Sequence, residues 1–311
     1  MEYNVLGKSG LRVSVMGLGC GGHSRLGLAH GLGHDHAVSI VSRALELGIN
    51  LIDTAEGYGT EGAVGDAIKR VNRDEVVLST KVPPASDGQP LAANKFKERV
   101  ESCLARLGVD YVDILHVHGV TQDQYDHTRD ILYPALQELR TAGKIRFTAI
   151  SEQFGRDTGH ITLQGAVSDG WDVVMVGFNI LNQSARDRVL NQTQALGVGT
   201  LDMFAVRRAL SNSEELSRLV ADLKRQNLLD ENVDADNPLG FLLQDGVAAS
   251  IPEAAYRFCR YEPGIDVVLS GTSSRDHLEQ NVRSLLTPPL PDWAVQRLRT
   301  MFAAVDNVSG N

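Results

Sequence analysis

The sequence predicts an α/β fold, a closed (β/α)8 TIM barrel, and three observations support it. Short apolar segments of strand length alternate with amphipathic helical segments along the 311 residues. The apolar segments number eight, as in a closed parallel barrel. No composition break or long linker separates the units, so we expect a single barrel domain over residues 1–311.

The strand candidates are short runs rich in Val, Ile and Leu. In chain order they are Val13–Leu18, Asn50–Asp53, Glu75–Thr80, Val112–Val117, Arg146–Ser151, Val173–Val176, Gly199–Met203 and Asp266–Ser270. Before the first of them, Tyr3–Leu6 and the turn Gly7–Gly10 predict an N-terminal β-hairpin. We expect this hairpin to cover the bottom of the barrel.

Helix start and stop signals occur between the strand candidates. Asp35 is placed as the N-cap of a helix that ends at Gly48. Asn212 is placed as the N-cap of another, with a glutamate three residues later as in a capping box. Gly108 ends a third helix, and Trp293–Val305 is predicted as an extra C-terminal helix outside the barrel.

The overall composition narrows the functional classes. The formal net charge is −9, so the chain lacks the basic surface that binds nucleic acid or an anionic membrane. We see no signal peptide and no apolar run long enough to span a bilayer. The three cysteines are widely spaced and form no disulfide framework, which fits a cytoplasmic location.

The glycine-rich segment Val15–Gly22, VMGLGCGG, matches the G-x-G-x-x-G fingerprint of Rossmann dinucleotide sites. That motif works only where a helix begins directly after the glycines and meets the pyrophosphate. Here the chain continues with the glycine-rich HSRLGLAHGLGH, which has no helical period. The motif is therefore better interpreted as a turn after the first strand.

Polar residues at the ends of strands are the candidate catalytic groups, because barrel chemistry occurs at the C-terminal ends of strands. Asp53, Lys81 and His118 end three consecutive strands, the second to the fourth. Tyr58 lies in the loop that follows Asp53. We expect the Lys81 ammonium to lower the pKa of Tyr58, and Asp53 to hold Lys81 charged. With His118 orienting a carbonyl oxygen or sharing in proton transfer, this set suits hydride transfer coupled to protonation of an alkoxide.

Other interpretations remain open at this point. Asp53 and Lys81 also fit a structural ion pair, and Tyr58 also fits a cover on the barrel rim. His116 and His118 lie on one face of a strand, as in the H-x-H metal sites of barrel hydrolases. A third interpretation is a cofactor-binding regulatory subunit.

Six segments in this order resemble the aldo-keto reductase superfamily: LGCGG, DTAEGYG, STKV, YVDILHVHG, GKIRFTAIS and LSGTSSRDHLEQN. The resemblance runs from about Leu6 to Phe302 and is greatest to the bacterial and plant aldose (galactose) dehydrogenase-like branch. It implies a (β/α)8 barrel that binds NAD(P)H in an extended form without a Rossmann domain. It also implies that Tyr58 is the proton donor, with Lys81, Asp53 and His118 completing the tetrad.

The resemblance also implies where the cofactor lies. Its adenosine end would lie at the start of the helix after strand eight, at Gly271, Thr272, Ser273, Arg275, His277, Gln280 and Asn281. Thr272 and Arg275 would hold a 2′-phosphate, and His277 stands where many relatives have arginine. NADP(H) is therefore favoured, but Gly271 replaces a lysine of many relatives, which weakens a strict NADP preference, so NAD(H) remains possible.

The rest of the cofactor would lie across the barrel mouth. Arg207 would contact the pyrophosphate, Gly19 would lie beside the cofactor, and Ser151 would reach the carboxamide. Two residues depart from the family pattern near the nicotinamide: Glu152 stands in place of asparagine and Met175 in place of glutamine.

The loops above the mouth are the predicted walls of the substrate site. Residues 22–34 and 153–160 contain many small and polar side chains. They suit a sugar or a small polar aldehyde, so the expected substrate is an aldehyde, a ketone or an aldose.

Overall fold

Eight parallel strands form a closed barrel in the computed structural model, which describes residues 1–244 and 246–311. We number them β1 to β8: Met16–Gly19, Leu51–Asp53, Val77–Val82, Val112–Val120, Ile145–Glu152, Val173–Gly177, Gly199–Met203 and Val267–Ser270. Each strand pairs with its neighbours in chain order, and β8 closes the barrel against β1. The predicted fold class is therefore confirmed.

The predicted first strand, Val13–Leu18, was wrong in its bounds because the chain changes pairing partner inside it. Arg12–Ser14 pairs with Tyr3–Val5 as the second strand of the N-terminal hairpin, and β1 begins only at Met16. The Ser14 hydroxyl donates to the Met16 carbonyl at 2.6 Å, which stabilises the bend between the two strands. The predicted hairpin itself is confirmed.

The described residues form twelve α-helices, most of them between successive strands. They are α1 to α12: His34–Glu46, Glu61–Ile68, Ala93–Leu107, Gln122–His127, Tyr133–Thr141, Ile161–Ala166, Asn191–Leu196, Arg208–Ser211, Ser213–Arg225, Ile251–Arg260, Arg275–Leu286 and Asp292–Met301. Short 3₁₀ helices lie at Gly7–Ser9, Arg25–His30, Glu56–Tyr58, Arg73–Glu75 and Gly240–Leu242, and π-helical turns at Thr128–Leu132 and Arg186–Leu190. Within the described ranges, no helix has the length and apolar character needed to cross a bilayer.

The helix caps follow the sequence signals with two exceptions, the first being that Glu215 binds Arg208 and does not complete the expected capping box at Asn212. Asn212 accepts the backbone N–H groups of two residues in the first turn of α9, as its position predicted. Gly108 ends α3 with a φ of +65°. Asp35, by contrast, is not an N-cap: α1 begins at His34 after Gly33, whose φ of +84° makes the turn, and Asp35 lies in the first helical turn. The C-terminal helix α12 is present but ends at Met301.

The N-terminal hairpin closes the bottom of the barrel. Leu6, Leu11 and Val13 pack against inward side chains of the strands, among them Leu51 and Val267. The connection requires glycine at position 7, because a Cβ there would lie 2.3 Å from the backbone nitrogen of Gly199.

The two ends of the barrel interior differ in polarity. Side chains alternate between the inside and the outside of a barrel strand. On β3 the inward positions run from apolar Val77 at the bottom to Lys81 at the top, and on β2 from Leu51 to Asp53. The alternation therefore gathers the polar inward residues at the C-terminal ends of the strands.

The bottom closure gives a stability prediction. Leu6→Ala removes a fully buried side chain from the interior, and we expect the free energy of unfolding to fall by about 2–5 kcal/mol. Val5→Ala at the neighbouring position is the control, because Val5 is 59% exposed and we expect a change within about 0.5 kcal/mol. Urea unfolding of the two variants measures the difference, and equal effects would contradict the role of Leu6 in closing the bottom of the barrel.

Candidate active site

A buried ion pair lies at the top of β2 and β3. The Lys81 ammonium donates to Asp53 Oδ2 at 2.5 Å and to the Thr54 carbonyl at 2.8 Å. The Ser79 hydroxyl donates to the other Asp53 oxygen at 2.8 Å. Burial opposes the charge on Lys81, but the neighbouring Asp53 and Tyr58 prevail and raise its pKa. Lys81 is therefore a fixed ammonium group at neutral pH.

Tyr58 is held above this pair by its own loop. It ends a 3₁₀ helix in which Glu56 binds the Arg99 guanidinium of α3 at 2.9 Å, so the helix is tied to the outer layer. The Lys81 nitrogen lies 5.2 Å from the centre of the Tyr58 ring. Gly21 lies against that ring, because a Cβ there would be 2.5 Å from Tyr58 Cε2. Nothing in the sequence distinguishes Gly21 from its neighbouring glycines, so this contact could not be predicted from the motif.

His118 completes the group from β4. Its Nε2 lies 3.4 Å from the Tyr58 hydroxyl, and the two rings meet edge to face. Burial, reinforced by the charge of Lys81, lowers the pKa of His118 to about 3. The imidazole is therefore neutral at neutral pH, and it can orient an oxygen by a hydrogen bond but cannot supply a proton as an imidazolium.

The expected lowering of the Tyr58 pKa by Lys81 is present, but it does not set the net direction of the shift. Burial raises the pKa of the phenol, and this effect outweighs the lowering by Lys81. The Tyr58 hydroxyl is therefore protonated at neutral pH, and the Lys81 charge limits the cost of removing its proton.

His116 lies deeper in the same strand, fully buried, and is the register partner of Lys81. Neither ring nitrogen has a hydrogen-bond partner among the described residues. Burial lowers its pKa well below the usual value. Within residues 1–244 and 246–311, no three His, Cys, Asp or Glu side chains cluster as metal ligands would.

The start of α11 forms a polar surface after β8. Ser274 caps the helix by accepting the His277 N–H, and Thr272 accepts the Ser274 N–H at 3.0 Å. The side-chain amide of Asn281 donates to the Ser270 hydroxyl, so Asn281 is engaged inside the protein. His277 and Gln280 are exposed.

Gly271 and Gly19 lie against each other at the top of β8 and β1. A Cβ at Gly271 would lie 2.6 Å from the Gly19 carbonyl oxygen, whereas a Cβ at Gly19 meets nothing closer than 3.9 Å. The chain therefore cannot carry a lysine at position 271 without moving β1. This contact gives a physical reason for the departure from the family pattern.

Arg275 lies on the α1 side of α11 and lines a cleft of about 260 Å³ with Arg43 and Arg70. Next to it, the His36 ring of α1 lies 2.7 Å from the Ser273 carbonyl and ties α1 to this loop. Of the residues expected to hold a 2′-phosphate, Thr272 is engaged within the loop, while Arg275 and His277 are exposed.

The two arginines after β7 differ in their surroundings. Arg208 forms an ion pair with Glu215 at 2.6 Å. Arg207 is half-buried, and its guanidinium lies 3.8 Å above the ring of Phe204. No carboxylate in the described part of the chain lies within ion-pair distance of Arg207, and burial lowers its pKa. Arg207 is thus the arginine of the two that is available to an anion.

At the end of β5, neighbouring residues point to opposite sides. The Ser151 hydroxyl accepts the Gly119 N–H at 2.8 Å near the mouth. Glu152 points outward into a buried contact with His160. Met175 belongs to the apolar barrel interior. The Asn179 side-chain amide donates to the carbonyls of Phe204 and Ser309.

These residues fit an extended dinucleotide. The N-terminus of α11 offers backbone N–H groups to an anion, and Arg207 lies in the segment after β7, the strand that pairs with β8. The Gly19–Gly271 contact keeps side chains away from the barrel mouth between them. Ser151 adds a hydroxyl on the opposite side of the barrel.

Comparisons with known proteins agree with this geometry. The aldo/keto reductase family model matches residues 17–302. L-galactose dehydrogenase of Arabidopsis thaliana is 36% identical over 157 residues, a match that spans 49% of this chain and 48% of that protein. The uncharacterized oxidoreductase YqkF of Bacillus subtilis (strain 168) is 26% identical over 317 residues, with 96% of both chains covered.

A solved structure gives the same result over nearly the full length. The holo form of an aldo-keto reductase from Bacillus halodurans superposes with a TM-score of 0.74 at 25% identity, and 99% of this chain and 97% of that chain are covered. The chain belongs to the aldo/keto reductase family, and the protein is an NAD(P)-dependent oxidoreductase.

Proposed function

We propose that this single-domain barrel moves a hydride between a nicotinamide cofactor and an aldehyde, a ketone or an aldose, with Tyr58 as the proton donor and acceptor. The observation that supports the proposal best is the convergence of Tyr58 and His118, 3.4 Å apart, above the Lys81–Asp53 ion pair. A structural ion pair alone would not require a tyrosine and a neutral histidine at the open end of the barrel.

The chain's own residues divide the proton chemistry among them. The Tyr58 hydroxyl gives its proton to the carbonyl oxygen in reduction and takes it back in oxidation. His118, neutral at working pH, donates a hydrogen bond that orients that oxygen. Lys81 stabilises the phenolate formed at Tyr58, and Asp53 keeps Lys81 charged and in place. The bound cofactor supplies or accepts the hydride.

The cofactor proposal favours NADP(H), with NAD(H) as an alternative. Thr272, Ser273, Arg275 and His277 would surround the adenosine phosphate, and Arg207 would hold the pyrophosphate. Gly271, Gln280 and Asn281 would border the adenine, with Gly19 beside the cofactor. Ser151 would bind the nicotinamide carboxamide.

The substrate proposal is an aldose or a small polar aldehyde. One relative is named for L-galactose, and the loops 22–34 and 153–160 would form the walls of the site. The first of these loops contains the 3₁₀ helix Arg25–His30, in which Arg25 and Leu26 have φ values of +46° and +57°.

Tyr58→Phe tests the proton-transfer role. We expect turnover to fall by at least about 100-fold, because the variant removes the hydroxyl that lies 3.4 Å from His118, while the Kd for NADPH stays within about twofold. Steady-state kinetics with an aldose panel and calorimetric titration measure the two quantities. Tyr3→Phe, at the opposite end of the barrel, is the control; retained activity in Tyr58→Phe would disprove the role.

The low pKa of His118 predicts a pH dependence of stability. Between the usual value of 6.5 and the folded value of about 3, the unfolded chain binds a proton that the folded chain does not. The folded state therefore loses stability as the pH falls through this window, by at most about 1.4 kcal/mol per pH unit from this group. Urea unfolding of wild type and His118→Gln at pH 4.5–7.5 isolates the term, and a pH-independent difference between them would contradict it.

The adenosine end of the site predicts a selective loss of affinity. Arg275→Leu and His277→Leu should each weaken NADPH binding by roughly tenfold, the scale of one charge-assisted hydrogen bond. NADH binding should change by less than about twofold, since it lacks the 2′-phosphate. Calorimetric titration checks both, with Arg283→Leu in the last turn of α11 as control. An equal loss for the two cofactors would place the 2′-phosphate elsewhere.

A further inference from the structure

A continuous series of side-chain contacts connects the end of β5 with Arg207 after β7. Glu152 binds His160, His160 stacks on Phe154, Phe154 contacts Phe204, and Phe204 supports the guanidinium of Arg207. We call Phe154, His160 and Phe204 the ring cluster. None of its members is used by the proton chemistry above.

The first link is an enclosed acid–base pair. The side chains of Glu152 and His160 are 0% exposed, and His160 Nδ1 lies 3.0 Å from both carboxylate oxygens. The backbone N–H of Gly177 donates to the same carboxylate at 2.7 Å. Burial raises the pKa of Glu152, and His160 and Gly177 oppose that rise. A buried pair with these contacts fixes the plane of the His160 ring, because breaking it would leave an unpaired polar group.

The next links transmit that orientation through ring contacts. Phe154 stacks on His160 with centroids 5.2 Å apart and an interplanar angle of 13°. Phe154 also crosses Gly177, where a Cβ would lie 2.2 Å from its Cδ1, so no larger residue fits beneath it. Phe204 lies 5.9 Å from Phe154.

Two members of the ring cluster have backbone conformations that are rare for residues other than glycine. His160 has a φ of +59° and Phe204 a φ of +74°. Such conformations cost free energy and persist where the surroundings impose them, often at functional sites. Here both are imposed along one connected set of contacts that ends at Arg207.

We propose that Glu152 and His160 are positioning residues that hold Arg207, through Phe154 and Phe204, in the orientation that receives the diphosphate of the cofactor. This inference rests on the proposed function, in which Arg207 binds the pyrophosphate. A guanidinium stacked on a fixed ring loses less conformational freedom when it binds an anion, so the ring cluster raises affinity without touching the ligand.

A double-mutant cycle on cofactor binding tests the proposal. Glu152→Leu removes the acceptor of the His160 and Gly177 N–H groups, and Phe154→Leu keeps that pair but breaks the ring contacts. Each is titrated with NADH and NADPH by calorimetry, in the wild-type background and in Arg207→Leu. We expect each substitution to weaken the binding of both cofactors about three- to tenfold in the wild-type background. In the Arg207→Leu background we expect each to weaken binding by less than about twofold.

The control separates positioning from simple destabilisation. Glu262→Leu removes another buried carboxylate, one that pairs with Arg186 and Arg299 away from the ring cluster. It should lower the thermal unfolding temperature and leave cofactor affinity unchanged. Phe154→Leu leaves all buried charges paired, so it keeps the test decisive if Glu152→Leu does not fold.

The experiment distinguishes failure of this inference from failure of the proposed function. If the variants weaken cofactor binding equally in both backgrounds, the ring cluster acts independently of Arg207. If Phe154→Leu leaves cofactor affinity unchanged, the ring cluster does not act on binding. Either result overturns the inference. An Arg207→Leu variant with normal affinity would overturn the inference while the proposed function stands. A wild-type protein that binds neither cofactor would overturn the proposed function as well.

Discussion

The buried Lys81–Asp53 ion pair is the interaction on which the rest of the site depends. Two opposite charges stay inside a barrel only when each is fully bonded, and here the contacts come from β2, β3 and the residue after β2. That requirement fixes the register of the two strands at their upper ends. It also fixes the Lys81 ammonium below Tyr58. The Tyr58 hydroxyl, which lies beside His118, is therefore held above a positive charge of fixed position.

Local sequence patterns predicted the parts of this structure that depend on local chemistry. The alternation of strand residues predicted that Asp53, Lys81 and His118 point inward, and barrel topology predicted that they meet. The N-cap at Asn212 and the glycine stop at Gly108 depend only on their own helix ends. Tyr58 lies in a loop, where no period constrains the side chain, so its assignment relied on its place in the motif.

Local sequence patterns could not predict the contacts between distant segments of the chain. The packing of Gly271 on Gly19 joins residues about 250 positions apart, and the helical face of Arg275 depends on how α11 docks against α1. The outward turn of Glu152 depends on His160 and on a backbone N–H of β6. The change of pairing partner at Val15 depends on distant strands, because Arg12–Ser14 pairs with Tyr3–Val5 and β1 pairs with β8. The net pKa of Tyr58 depends on burial, which only the folded chain defines.

The closure of the barrel bottom has a consequence for how the chain folds. Asn4 donates to the carbonyl of Asp266, a contact that spans 262 residues, and β1 pairs with β8 across a similar distance. During synthesis the hairpin and β1 therefore emerge long before their partners exist. The early chain holds apolar edges that only the last strand covers, so completion of the barrel is a late, non-local step with slow kinetics. The interval between synthesis of the first and the eighth strand is therefore the time in which the pairing edge of β1 stays uncovered.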